Sequence, residues 1–242
     1  MIGLALLVAA MNALGAFTQA ATGFGYAIVA MFLMPYVLPY EQCLVISAST
    51  IVAIAVQMVV TLYRHIRLKK LLWPLVGCLA TLGIGRYLIS ILDDRMAARV
   101  MGVFLILLAV FFYVTKRREI SIKGNWRNGL AVGGVTGIST GMFNIVGPFL
   151  SLYYYDNCES TLEFKASLEC SFLIAGLISL AINLSMVPLD AFTAGTAGLS
   201  AALSVAAGVV GLKVYHKLDK AKLKWIIIAV LPVMGVIQLL KG

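Results

Sequence analysis

The chain has 242 residues, of which 62% are hydrophobic and only 12% are charged. Soluble domains carry about 25% charged residues, so this composition excludes a water-soluble protein. The net charge of +9 does not indicate nucleic-acid binding, because the basic residues are concentrated in short loops beside apolar segments. In such loops they orient a membrane protein and contact anionic lipids. We therefore expect an integral membrane protein.

Uncharged runs of membrane-spanning length follow one another along the chain. About 20 helical residues cross a hydrocarbon core, and the first run, 1–40, is longer than this length requires. The later runs are 42–63, 71–92 (interrupted only by Arg86), 100–115, 128–155, 170–189, 191–212 and 225–240. The loops between them are too short for a soluble domain, so the sequence predicts one all-α membrane domain.

Charge in the loops predicts the topology. Three strongly basic loops, 64–70, 116–127 and 213–224, are expected in the cytoplasm. The charge-balanced turn 93–99 and the turn 185–190, which has no basic residue, are expected outside. With these sides fixed, the segment between Arg127 and Asp156 begins and ends in the cytoplasm and makes no net crossing.

That segment is predicted to be a re-entrant hairpin. Two full helices would need about 40 residues, so we expect two half-length helices, 128–139 and 146–155, with their tip near the bilayer midplane. By the same logic the first half opens with a hairpin of 3–18 and 24–37, although its uncharged run also suffices for two full crossings. In either case both termini lie outside.

The two halves of the chain match each other. Gly85 and Leu92-Asp93 recur as Gly211 and Leu218-Asp219 with the same spacing, and Gly23 and Ser47 align with Gly147 and Ser171 about two residues out of step. The aligned loops have opposite predicted sides. We therefore predict two inverted repeats, 1–115 and 128–242, joined by a cytoplasmic linker, 116–127. Each repeat is a hairpin followed by three transmembrane helices, an arrangement typical of secondary transporters.

Small and hydrogen-bonding residues are concentrated at the two predicted hairpin tips. The predicted substrate-binding residues are Gln19, Thr22, Gly23, Phe24 and Gly25 in the first tip, and Ser139, Thr140, Asn144, Gly147 and Pro148 in the second. A broken helix is tolerated in a membrane where it faces protein or a hydrated cavity, and the N-terminus of a half-helix favours an anion. We therefore predict an anion site; the alternative is that the glycines only allow close helix packing.

Few charged residues lie within the predicted spans. Glu169 is expected about 9 Å from the cytoplasmic end of its helix, where it either carries a coupling proton or pairs with Lys165 one turn away. Arg86 is expected near the outer end as a structural or vestibule charge. Neither histidine lies at membrane depth and the cysteines have no metal-ligand spacing, so no metal or cofactor is predicted.

The two tips also resemble a known family. Residues 19–25 are similar to the Q-x-x-T-G-F-G signature of the sulfite exporter TauE/SafE family, also called 4-toluene sulfonate uptake permeases, and residues 143–148 resemble its second glycine- and proline-rich motif. Asn144 and Val146 stand where the family has glycine, and Phe149 replaces a proline. The resemblance implies transport of sulfite, sulfonates, sulfoacetate or related anions across the bacterial cytoplasmic membrane, driven by the membrane potential or by protons. It leaves a homodimer open.

Three other functions remain at this stage. The same scaffold is suited to another small anion, such as a carboxylate. An anion channel would need a continuous polar stripe along its pore, and an intramembrane enzyme would need a nucleophile and base or a metal cluster at one depth. Because the sequence shows neither pattern, we expect a transporter without catalytic activity.

Overall fold

The computed structural model describes residues 1–118, 121–215 and 220–241, which form ten α-helices and contain no strand. The helices are α1 (Ile2–Thr22), α2 (Tyr26–Leu33), α3 (Tyr40–Leu62), α4 (Leu68–Ser90), α5 (Asp94–Arg118), α6 (Trp126–Phe143), α7 (Gly147–Asn157), α8 (Thr161–Met186), α9 (Ala191–Tyr215) and α10 (Lys220–Lys241). Short 3₁₀ turns follow α2 and α3. The all-α prediction is confirmed.

Six of the helices are long and apolar enough to cross a membrane: α1, α3, α4, α5, α8 and α9. The described chain is therefore a multi-pass membrane protein. Helix ends agree with local sequence signals. For example, α9 begins at Ala191 because the carboxylate of Asp190 accepts a hydrogen bond from the Thr193 N–H at 2.6 Å, which satisfies one unpaired donor of the first turn.

The first arm of each hairpin is longer than predicted. α1 has 21 residues and α6 has 18, so the prediction of a half-length helix over 128–139 was wrong. α6 does not break at Ser139, and the Thr140 hydroxyl donates back to the Thr136 carbonyl at 2.7 Å without interrupting the helix. The second arms are short, with 8 residues in α2 and 11 in α7.

The two halves pack in a crossed arrangement. The first helix of each half lies against the fourth helix of the other: α1 packs on α9, and α6 packs on α4. The third helices, α3 and α8, contact each other, as do the last helices, α5 and α10. This reciprocal pattern is consistent with an inverted repeat. In the sequence match between the two halves, Leu218-Asp219 lies outside the described residues.

Loops with the same predicted side lie together. At one end, Lys70 pairs with Glu163 at 2.8 Å, and the backbone N–H of Ile122 donates to Asp156 at 2.7 Å. At the other end, the N–H of Tyr40 donates to the carboxylate of Asp94 at 3.2 Å. The C-terminal helix reaches that second end as well, where the ammonium of Lys241 donates to the carbonyl of Pro35 at 2.5 Å.

Glycines let α4 and α6 approach until their backbones touch. A Cβ atom at Gly133 would overlap the Pro74 carbonyl, and one at Gly137 would overlap the Cys78 carbonyl. The α5–α10 contact is similar, since a Cβ at Gly102 would lie 2.7 Å from the carbonyl oxygen of Gly235. For these glycines, close helix packing accounts for the residue type.

Candidate functional site

The first tip reverses the chain within three residues. α1 ends at Gly23 and α2 starts after Gly25, and both glycines have left-handed backbones, with φ of 94° and 114°. Glycine adopts this conformation without the steric cost that other residues meet. Thr22 holds the turn, because its hydroxyl donates to the Phe24 carbonyl while the Phe24 N–H donates back to Thr22 Oγ at 3.2 Å.

The second tip is built around Asn144. Its φ of 56° makes it the one non-glycine residue with a positive φ in the described part of the chain. Its N–H donates to the Thr140 carbonyl at 2.8 Å, and the Ser139 hydroxyl donates to the Ile145 carbonyl at 2.7 Å. Ser139 and Thr140, both predicted as site residues, therefore shape the second tip from the end of α6.

The side chain of Asn144 joins this tip to the two central helices. Its amide nitrogen donates to the Leu44 carbonyl at 2.9 Å and to the Ser47 hydroxyl at 2.7 Å, both on α3. Its amide oxygen accepts from the Ser179 hydroxyl on α8 at 2.6 Å. Both amide hydrogens are therefore engaged, and the carboxamide anchors the tip in this conformation.

The two tips share one cavity. Five of the predicted site residues line it, namely Gln19, Gly25, Asn144, Gly147 and Pro148. The lining also includes Ile51 and Phe172, from near the middle of α3 and α8. The cavity volume is about 10 Å³, which is about the space that one water molecule requires. In this conformation the tips are closed on each other.

Gly147 marks the point where the tips touch. A Cβ atom there would lie 2.5 Å from Cβ of Phe24, on the first tip, and 3.2 Å from the ring of Phe172. Phe24 in turn stacks on Phe112 of α5, with 5.4 Å between ring centroids. Thr22, Gly23 and Phe24 thus form the outer part of the first tip, while Gln19 and Gly25 face the cavity.

Glu169 is connected to the cavity through Gln19. The amide nitrogen of Gln19 lies 3.4 Å from a carboxylate oxygen of Glu169, and the two side chains are 2% and 1% exposed. Lys165, one turn earlier on α8, is also buried. Glu169 does not line the cavity itself, and its contact with Gln19 links it to the cavity wall.

Some surrounding residues gave no separate signal in the sequence. Ser179 was not distinguished from the other small residues of its span, and Ile51 and Phe172 are ordinary apolar residues. Ser47 and Ser171 did appear in the alignment of the two halves. Ser47 contacts the second tip, and Ser171 shares a hydrogen bond of 2.8 Å with the hydroxyl of Tyr154 on α7, so this internal alignment pointed to the surroundings of the site.

Comparison with known proteins identifies the family. A family model described as "Sulfite exporter TauE/SafE" matches residues 7–237. No curated protein and no solved structure gave a significant match. The family match includes both hairpins and nearly the whole chain, so the protein belongs to the sulfite exporter TauE/SafE family of membrane transporters for sulfur anions.

Proposed function

We propose that this protein is a secondary transporter of small sulfur-containing anions, such as sulfite, sulfonates or sulfoacetate, and that it has no catalytic activity. The observation that carries the proposal is the cavity that the two hairpin tips close between α3 and α8. A central site formed jointly by two halves is what alternating access requires.

The surroundings of the cavity favour an anion without a buried cation. α7 begins at Gly147 and α2 at Tyr26, so the first turns of both helices start beside the cavity. The N–H groups of a first turn have no partner within their own helix and carry the positive end of the helix dipole. The cavity-lining residues include no Lys, Arg or His, and backbone donors are left to bind the substrate.

The substrate enters when the tips separate. A sulfur oxyanion has at least four heavy atoms and does not fit the space of one water molecule, so the conformation described here is the closed one. The repeats, 1–115 and 128–242 with the linker 116–127, supply the two states by exchanging conformations. We place the site near the bilayer midplane, with both termini outside a bacterial cytoplasmic membrane.

Transport in proteoliposomes tests the proposal. Vesicles loaded with unlabelled sulfite or thiosulfate should accumulate the labelled anion by saturable exchange, and matched carboxylates should not compete. Competition by carboxylates alone would replace the substrate class, and a non-saturable conductance would indicate a channel. A purified, folded protein that exchanges no sulfur anion would overturn the proposed function.

A further inference from the structure

Arg86 is a buried cation with an incomplete set of partners. Its side chain is 2% exposed, and Nη2 contacts the carboxylate of Glu41. Nε and Nη1 have no hydrogen-bond partner among the described residues. A guanidinium removed from water is stable only when its charge and its N–H groups are satisfied. Arg86 therefore has donors available to a further acceptor.

Glu41 can leave this contact more easily than Arg86. The Glu41 side chain is 41% exposed and belongs to the first turn of α3, so its carboxylate can return to water. Arg86 lies inside α4, where the described surroundings exclude solvent. An exchange of acceptors on Arg86, with Glu41 moving outward, is therefore possible without unfolding either helix.

The pair lies beside the second tip. Glu41 is three residues before Leu44, whose carbonyl accepts the hydrogen bond from Asn144, and three helical residues span about 5 Å. The hydroxyl of Tyr40, next to Glu41, donates to the carbonyl of Met142 at 3.2 Å. Tyr40 also contacts Asp94, in the 93–99 turn, so the Arg86–Glu41 pair lies towards the end of the molecule that holds this turn.

We propose that Arg86 is a second anion-binding residue, located between the central cavity and the end of the protein that holds the 93–99 turn. An oxyanion binds to Arg86 by displacing Glu41. This inference rests on the proposed function, because it places a second site on the path to the same cavity. A guanidinium suits a sulfur oxyanion, since several N–H donors in one plane can contact more than one oxygen. Arg86 and Glu41 thus form an exchangeable pair rather than only a link between α3 and α4.

Glu41→Gln tests the exchange directly, with thiosulfate as the probe and chloride at equal ionic strength as the reference. The variant keeps Arg86 but removes the competing carboxylate. Without oxyanion, we expect a lower unfolding temperature than in the wild type. Thiosulfate should raise the unfolding temperature of the variant back towards that of the wild type, because it binds only the folded protein. Its Kd for the variant should be about tenfold lower than for the wild type, the factor that corresponds to one charge-assisted hydrogen bond.

Arg86→Gln in the same assay should raise the thiosulfate Kd by about tenfold. Arg99→Gln is the matched control, because Arg99 is exposed on the helix that starts at the same end and the variant has the same change in charge. It should bind as the wild type does. If Arg86→Gln does not fold, the result for Glu41→Gln alone decides between a second anion site and a purely structural ion pair.

An equal response of Glu41→Gln to thiosulfate and chloride would overturn the inference and leave a purely structural ion pair. The wild-type exchange assay is independent of this result. If the wild type exchanges sulfur anions while Glu41→Gln gains no affinity, only the second site is wrong. If the wild type exchanges none, the proposed function is wrong whatever Glu41→Gln does.

Discussion

The amide nitrogen of Gln19 lies 3.4 Å from a carboxylate oxygen of Glu169, and this contact joins the first hairpin to α8. Gln19 also lines the cavity, whereas Glu169 does not. The carboxamide has two N–H donors, so Gln19 can contact Glu169 and an anion in the cavity at the same time. Gln19 therefore links the cavity to a buried carboxyl group, and a ligand that reorients its amide changes the surroundings of Glu169.

If Glu169 carries the coupling proton, Glu169→Gln should separate exchange from accumulation. The amide cannot gain or lose a proton but preserves the size of the side chain. We expect exchange of labelled for unlabelled anion to persist, while accumulation driven by a pH gradient falls about tenfold or more. Glu159→Gln, whose parent side chain is 86% exposed, is the control. Gradient-driven accumulation at the wild-type level in Glu169→Gln would rule out this role.

Gly147→Ala should impair transport. The added methyl group would lie 2.5 Å from Cβ of Phe24, and overpacking of this kind costs about 1–3 kcal/mol. The closed contact between the tips is therefore disfavoured, and we expect the exchange rate to fall about tenfold. Gly83→Ala is the matched control in a transmembrane helix, because nothing lies within 4 Å of the new Cβ. Equal rates for the two variants would contradict the role of Gly147 in closing the tips.

Replacing Asn144 should separate its backbone role from its side-chain role. Asn144→Ala removes three hydrogen bonds and places alanine at a φ of 56°, and burying unsatisfied partners costs about 1–3 kcal/mol. Asn144→Gly loses the same bonds but adopts the backbone readily, so it should be more stable than Asn144→Ala by about 1 kcal/mol. Thermal unfolding in detergent measures which of the two variants is more stable. The reverse order would show that the backbone conformation is not what constrains this position.

Adjacent glycines on α6 offer a test of helix packing. Gly133→Ala would drive a methyl group into the Pro74 carbonyl, whereas at Gly134 the nearest atom to a new Cβ is a Thr81 methyl at 3.8 Å. We expect Gly133→Ala to lower the unfolding temperature strongly, and Gly134→Ala to leave it unchanged or raise it through better helix propensity. Similar values for the two variants would mean that α4 and α6 are not this close.

Labelling of single cysteines tests the proposed orientation. In a background without the four native cysteines, Leu189→Cys should react with a membrane-impermeant maleimide on intact spheroplasts. Glu159→Cys, exposed at the opposite end, should react only after permeabilisation. The opposite pattern would show that the topology is inverted. Labelling of both positions from outside would exclude the proposed topology and its inverse.

Much of the fold could be predicted because a helix that spans a membrane is a long uncharged run in the sequence. The start of α9 at Ala191 was predicted to the residue, and the break between α1 and α2 falls within the predicted first tip, 19–25. The alignment of Gly23 with Gly147 was less successful, because the structure pairs the helix end at Gly23 with the one at Asn144. Glycine and asparagine both suit a left-handed helix end, so residue identity alone does not reveal this correspondence.

Contacts between distant segments could not be predicted in the same way. The position of Arg86 near one end of its helix was expected, but its partner Glu41 lies on another helix with no local spacing to connect them. The three partners of the Asn144 side chain come from α3 and α8 for the same reason. Five of the predicted site residues at the tips line one cavity, whereas the side chains that hold the tips in place follow only from tertiary packing.

The crossed arrangement of the helices also sets an order for biosynthesis. When α6 leaves the ribosome, its neighbour α4 has already been made, so that pair can assemble midway through translation. α1 packs on α9, and its buried Asn12 has a contact with Ser200 at 3.5 Å, yet seven helices separate α1 from α9 along the chain. The face of α1 that packs on α9 must therefore wait in the lipid or at the insertion machinery until α9 is made, while Asn12 already has partners in the Val8 carbonyl and the Tyr26 hydroxyl.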